Sequence, residues 1–474
     1  MRSPSYKDFV ELLILLLISV FFIYFTSPLL SKALFLFVLF KVWATEKDYF
    51  WFAFVLVILC EPGGIFGGGE LSDTKRLPLY NILPGLSFSF IDLYLIIIAL
   101  KAFKYRSLFV IEIKNELLLL LLVFFISILI GLTFGAGSGS IIILARTVIE
   151  ISLFYSVFFV FRTFDNFYLF IRTIFPFVFI ALVIQVIGLL INAPLVSLLK
   201  DSSARNLYFT SVEGGFERPI EFVVVNFICY YSTFYFLTLR NQLFFKKQYL
   251  YLINLVSLLS ISLSATRSWT LTMILSWGLF ALVKTPNLKF NGIKNWITLI
   301  FLFFIIMQVP VIQGQLESAW DRLSTVSRIL DGDLSLGGSA RRFDYHAPMV
   351  MQAFKGVNPI FGAGFSDVYF ENENFHVGYH TFLLNTGYFG SIILIAILAR
   401  LIIKNGISLN PIKTVVLLPL LSLIIINASV QVLGWRMSME QFLFNEAIVF
   451  MLISKVATFS VDLAKLYSCG GRNS

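Results

Sequence analysis

From Arg341 to Gly390 the chain reads RRFDYHAPMVMQAFKGVNPIFGAGFSDVYFENENFHVGYHTFLLNTGYFG. This stretch decides how the rest is read, because here an apolar chain turns polar and then apolar again. It opens on Arg341 and Arg342, passes Tyr345 and His346, and reaches the tight turn Pro359-Ile360-Phe361-Gly362-Ala363-Gly364. A segment rich in Asp, Glu and Asn follows. His376 and His380 then stand at the mouth of an apolar helix that carries Gly387 and Gly390. All 3 histidines of the chain lie within this stretch. The remainder reads as a scaffold that holds the segment against one face of a bilayer.

The 474 residues are 58% hydrophobic and only 13% charged, against about 25% charged in soluble domains. The expected fold class is therefore all-α and integral to a membrane, with residues 1–474 forming a single polytopic domain. Arg2 and Lys7 precede an apolar run as in a signal peptide. No small-residue cleavage site follows, so the run is expected to stay as the first helix. The formal net charge of +9 is spread over short loops rather than gathered in a patch, which argues against a nucleic-acid partner and for the cytoplasmic bias of Lys and Arg. Three cysteines, Cys60, Cys229 and Cys469, are too scattered for a disulfide framework or a metal cluster.

A membrane-crossing helix needs roughly 20 apolar residues. Candidates lie near 9–27, 28–43, 48–66, 88–103, 116–134, 139–162, 167–191, 219–239, 248–265, 267–284, 293–312, 379–403, 411–430 and 440–457. The second and the last are short, so the expected bundle has about 12–14 transmembrane helices. Alternate loops carry Lys41 and Lys47; Lys101, Lys104, Arg106 and Lys114; Arg240, Lys246 and Lys247; Lys284, Lys289 and Lys294; Lys404 and Lys413. By the positive-inside rule these loops and both termini are cytoplasmic. Segments 67–87, 192–218 and 313–378 then face outward. The last, between spans eleven and twelve, is too long for an idle linker, and in it acidic residues outnumber basic ones. Leu316, Trp320, Leu323 and Leu330 fall at helical spacing and predict an amphipathic helix on the membrane face. A second short helix is expected near 342–356, started or kinked by Pro348. No internal repeat of the kind found in inverted-repeat transporters is visible.

His376 and His380 are one helical turn apart and can share a face at the outer end of span twelve. Such a pair raises the question of a metal, with Glu371 and Glu373 nearby, but third and fourth ligands are not evident. A neutral His at the membrane surface suits a general base acting on a hydroxyl. Arg146 falls within span six and Arg267 at the outer junction of spans nine and ten, in Ala265-Thr266-Arg267-Ser268-Trp269. An intramembrane charge is expected to be functional or paired, and Glu150 is one turn from Arg146. Arg218, in Gly214-Gly215-Phe216-Glu217-Arg218-Pro219, has Glu217 and Glu221 close by, with Arg205 upstream. The outward side thus gathers Arg205, Arg218, Arg267, Arg341 and Arg342 around two histidines. Guanidinium forks match phosphate oxygens, which points to a lipid-linked phosphate or pyrophosphate ligand.

The order of these features resembles the O-antigen polymerase and O-antigen ligase family of bacterial envelope glycosyltransferases. The shared pattern is many spans, an Arg after a Ser/Thr-rich span end (here Thr266-Arg267), and a large outer loop. In that loop an Arg precedes a Pro-aromatic-Gly-x-Gly turn, and a His stands eleven and fourteen residues before two glycines, here His376 before Gly387 and Gly390. Gly215-Phe216 with Pro219 resembles the family's earlier outer-loop motif. The likeness covers roughly residues 140–400. It departs where the family His is followed by Asn, since Val377 stands there; either His376 or His380 can take the role, and either Arg341 or Arg342 the Arg before the turn.

The resemblance implies a glycosyltransferase of the bacterial inner membrane, working on its periplasmic face. It would move a glycan from undecaprenyl pyrophosphate to a sugar hydroxyl with no cofactor and no metal. Arg146, Arg205, Arg218, Arg267, Arg341 and Arg342 would stabilise the departing pyrophosphate, His376 or His380 would deprotonate the acceptor, and Tyr345 would help hold substrate. Polymerisation of lipid-linked repeat units, as in O-antigen or exopolysaccharide synthesis, is the first expectation, with a chain-length regulator protein as a further partner. A ligase acting on lipid A–core is the alternative. A lipid-linked oligosaccharide flippase is the competing class, disfavoured because the motifs lie on one face only.

Overall fold

The computed structural model describes residues 6–59, 77–83, 86–104, 114–133, 159–161, 163–191, 222–238, 245–264, 267–284, 345–364 and 378–405, with short pieces in 310–324, at 366 and in 418–422. In chain order its elements are α1 (Lys7–Phe25), α2 (Pro28–Ala44), α3 (Asp48–Leu59), β1 (Leu79–Leu83), β2 (Leu86–Ser89), α4 (Phe90–Lys104), α5 (Lys114–Thr133), α6 (Phe164–Ile174), α7 (Phe177–Ile191), α8 (Val223–Thr238), α9 (Lys247–Leu263), α10 (Arg267–Lys284), α11 (Ala347–Phe354) and α12 (Gly378–Asn405). Helix makes up 86% of the described residues, so the class is helical as expected. The antiparallel hairpin β1–β2, which pairs Leu79 with Ser89, was not anticipated. Among the described residues, two helical runs, Lys7–Phe25 and Phe164–Ile191, are long and apolar enough to cross a membrane, and Asp48–Ile58, Leu122–Thr133 and Trp269–Phe280 are shorter apolar helices. The expected spans at 139–162, 293–312, 411–430 and 440–457 lie almost entirely outside the described residues.

The chain divides into two compact units: Met1–Lys101 with Val160–Asp321, and Ala102–Phe159 with Arg322–Ser474. In the first unit local signals set the helix ends. Ser27 caps α2, its Oγ accepting from the Leu30 N–H at 3.4 Å, with Pro28 opening the helix. Thr163 caps α6 in the same way. Pro176 follows α6 and puts a two-residue turn between α6 and α7 within the run expected as one span from 167 to 191.

Polar contacts fix the direction of the first four helices. Lys47, between α2 and α3, lies 3.3 Å from Asp8 and 3.6 Å from Glu11 at the start of α1, and the Tyr49 hydroxyl also donates to Asp8. Lys101, expected among the loop charges, is buried instead. Its ammonium donates to the Asp48 carboxylate and to the carbonyls of Val42 and Thr45 at 3.0 and 2.8 Å. The start of α1, the α2–α3 junction and the end of α4 therefore meet at one end. At the other end the Tyr80 hydroxyl on β1 donates to the Lys32 carbonyl near the start of α2; burial pushes that phenol up to about 12, so it stays a donor at neutral pH. Deeper in the unit, α7, α8 and α9 share a buried polar relay. The Asn226 amide donates to Ser260, whose hydroxyl donates to the Gln185 carbonyl oxygen, both at 2.5 Å, and Asn254 donates to Thr233 at 2.7 Å.

The outward faces of these helices are apolar. Ile14, Leu17, Phe21 and Phe25 form an exposed stripe along α1, and Phe37, Phe40 and Trp43 another along α2. In the second unit α5 packs along α12, with Phe124 edge-on to Phe382. α11 lies on α12 through Ala347, Val350, Phe354, Val357, Ala363 and Leu384. Leu118, Leu122, Phe125 and Leu129 on α5, and Ile392 and Ile395 on α12, are exposed.

Candidate functional site: a broken helix and the turn inserted in it

The apolar helix expected over 379–403 is present but broken. At Gly387 the backbone takes φ 66° and ψ −169°, which no helix contains. In an unbroken helix the N–H groups of Tyr388 and Phe389 would bond to the carbonyls of Leu384 and Asn385, four residues back. The break separates these four groups, and the turn Pro359–Gly364 takes them over. Ala363 N–H donates to the Leu384 carbonyl at 2.6 Å and Gly364 N–H to the Asn385 carbonyl at 3.1 Å. On the other side of the break, the Pro359 and Ile360 carbonyls accept from Tyr388 and Phe389 at 2.9 and 3.0 Å. Buried backbone groups must be paired, and here a loop supplies what the helix gave up.

Glycine permits the approach. Gly364 (φ +60°) and Gly387 (φ +66°) adopt left-handed backbone. A Cβ on Gly387 would lie 2.2 Å from the Ile360 carbonyl oxygen, and one on Gly364 would lie 1.8 Å from that of Ser127 in α5. The glycines of the Pro-aromatic-Gly-x-Gly turn and of the His-bearing helix thus act as partners in one backbone joint. Asn358 starts the turn, its Oδ1 accepting from the N–H groups of Ile360 and Phe361 at 2.9 and 3.1 Å. Sequence reasoning overlooked Asn358, although Asn-Pro is itself a turn-starting pair. It also overlooked Ser127 and Gly131 in α5, where a lone Gly in an apolar helix marks close backbone contact: a Cβ on Gly131 would lie 2.4 Å from the Gly364 carbonyl oxygen.

His380 sits in the first turn of α12, half-buried, two turns ahead of the break. His346 is buried just before α11, with Pro348 in that helix's first turn. The helix expected at 342–356 is thus found at Ala347–Phe354. Tyr345 is 60% exposed, with its ring 5.8 Å from the His346 imidazole. The structure therefore brings Tyr345, His346, His380 and the Pro359–Gly364 turn into one unit.

Arg267 belongs to the other unit, where it opens α10. The same first turn is anchored by Trp269, buried edge-on against Phe227. The preceding helix end is bonded to the segment 313–317, as the Gln315 amide donates to the Leu263 carbonyl at 2.8 Å. Residues 313–317 are helical and Trp320 is 68% exposed, while Leu323 and Leu330 of the expected amphipathic helix lie outside the described residues. His376, Arg146, Arg205, Arg218, Arg341 and Arg342 lie outside the described residues, as do Glu371 and Glu373 of the metal question. Cys229 is buried in α8 against the Ile174 carbonyl.

No protein-family model matches the chain, and no curated protein is similar to it.

Proposed function

We propose that the protein is a polytopic membrane glycosyltransferase that polymerises lipid-linked oligosaccharide repeat units on the outer face of a bacterial inner membrane. The membrane reading is supported by the exposed apolar stripes of α1, α2, α5 and α12, since contiguous exposed apolar surface marks contact with a partner or a membrane. It is also supported by the ends of α1–α4, where the Lys-rich junctions meet at one end, as the positive-inside alternation requires. Irregular backbone at membrane depth is tolerated only where protein pairs it, and the joint at Gly387 meets that condition.

The observation that carries the enzyme reading is the locked break in α12. Two hydrogen bonds tie each half of α12 to the turn, and close glycine backbone approaches seat the turn against α12 and α5. A base that must meet an acceptor hydroxyl benefits from such fixity, whereas a flippase needs its elements to rock. In the proposed transfer His376 or His380 takes the proton of the acceptor hydroxyl as that oxygen bonds to the anomeric carbon. The bond from that carbon to the pyrophosphate breaks, and the pyrophosphate leaves with the electron pair on its lipid. Arg267, with Arg146, Arg205, Arg218, Arg341 and Arg342, neutralises the charge that builds there. The pyrophosphate is a good leaving group without a metal.

Purified protein supplied with undecaprenyl-pyrophosphate-linked repeat units tests this. The expected product is a series of longer lipid-linked glycans. Transfer only to an added lipid A–core acceptor would make the protein a ligase. Translocation of a labelled lipid-linked oligosaccharide across vesicles, with no transfer, would make it a flippase.

A further inference from the structure

One side-chain oxygen governs the joint in α12. A peptide unit is planar, so fixing its N–H also fixes the carbonyl across the same bond. The Ile360 N–H shares a plane with the Pro359 carbonyl, and the Phe361 N–H with the Ile360 carbonyl. Asn358 Oδ1 accepts from both N–H groups, and the two carbonyls on the far side of those planes cap Tyr388 and Phe389. The main-chain carbonyl of Asn358 also accepts from Gly362 at 2.7 Å, which closes the turn ahead of the two N–H groups that hold Leu384 and Asn385. Both halves of α12 are thus tied to a turn whose two central peptides are oriented by Asn358.

We propose that Asn358 is a positioning residue: it sets the angle between the two halves of α12 and so the direction in which the first half presents His380. Its catalytic meaning rests on the transferase reading above; its effect on helix geometry does not. The interaction needs an acceptor oxygen at this position, so Asp should replace Asn and an apolar side chain should not.

The test uses the full chain, cysteine-free, in liposomes, with spin labels at Tyr379→Cys and Ile395→Cys. These exposed positions flank Gly387 on the two half-helices, at most about 24 Å apart if the axis were straight. Pulsed electron paramagnetic resonance reads the distance distribution, and the same preparations are assayed for transfer from lipid-linked repeat units. Wild type and Asn358→Asp should give one narrow distance. Asn358→Ala should give a clearly broader one, with kcat down about 10- to 100-fold and KM nearly unchanged, the cost of misplacing a reacting group by about 1 Å. If Asn358→Ala does not accumulate, Asn358→Ser, which keeps a weaker acceptor, should give an intermediate width. An unchanged distance in Asn358→Ala, or a broadened one with unchanged kcat, would overturn the positioning role. A broadened distance in a protein whose wild type transfers nothing would remove the transferase reading and leave the helix joint standing.

Discussion

Gly364 and Ser127 are packed backbone to backbone: a Cβ on Gly364 would lie 1.8 Å from the Ser127 carbonyl oxygen and 2.7 Å from the Gly131 nitrogen. No rotamer relieves a clash between main chains, and φ +60° adds strain for any other residue. Gly364→Ala and Gly387→Ala should therefore both lose monodisperse protein in detergent, as read by size-exclusion profile and melting temperature. Gly278 in α10 has nothing within 4 Å of a Cβ. Gly278→Ala should leave the profile intact and raise stability by up to about 1 kcal/mol, the helix-propensity difference.

The buried pair Lys101–Asp48 gives a second prediction. Side-chain exposure is 9% and 1%, so Lys101→Met would take the ammonium away from a carboxylate held inside the protein. The expected cost is about 3–5 kcal/mol, as for other buried pairs broken on one side. Lys101→Met combined with Asp48→Leu should recover most of it. The single and double variants are compared by thermal unfolding in one detergent; equal losses in both would show that the contacts of Lys101 with Val42 and Thr45, rather than the charge pair, matter most.

Arg267 gives a third. Arg267→Ala should leave folded yield unchanged, because Trp269 anchors the first turn of α10, and should lower transfer about 10²- to 10³-fold, as the loss of a charge-stabilising donor does. Arg267→Lys keeps the charge but not the bidentate fork, so it should recover only part of the rate. Transfer by Arg267→Ala at the wild-type rate would remove this residue from the site.

Much of the helical framework was legible because apolar runs and breakers mark it directly: the runs at 9–27, 28–43, 88–103, 248–265 and 267–284 reappear as α1, α2, α4, α9 and α10. Pro348 marked the start of α11 in the same local way. What escaped notice depends on contacts distant in sequence. Gly387 and the turn glycines were visible as a spacing, but a positive φ and an exchange of hydrogen bonds between residues 359–364 and 384–389 leave no trace in hydropathy. Lys101 read as a loop charge because its partners, the end of α2 and Asp48, are more than fifty residues away. The relay Gln185–Ser260–Asn226 was missed because single polar residues in apolar runs reveal nothing about one another.

The most direct test of the central claim is the glycan ladder made by cells that lack this gene and are complemented with wild type, His376→Ala or His380→Ala. Polymerisation through one of these histidines predicts a full ladder with wild type and a single repeat unit, carried at the outer face, with the variant that lacks the base. A full-length ladder from both variants, or repeat units trapped on the cytoplasmic side in the gene's absence, would contradict it.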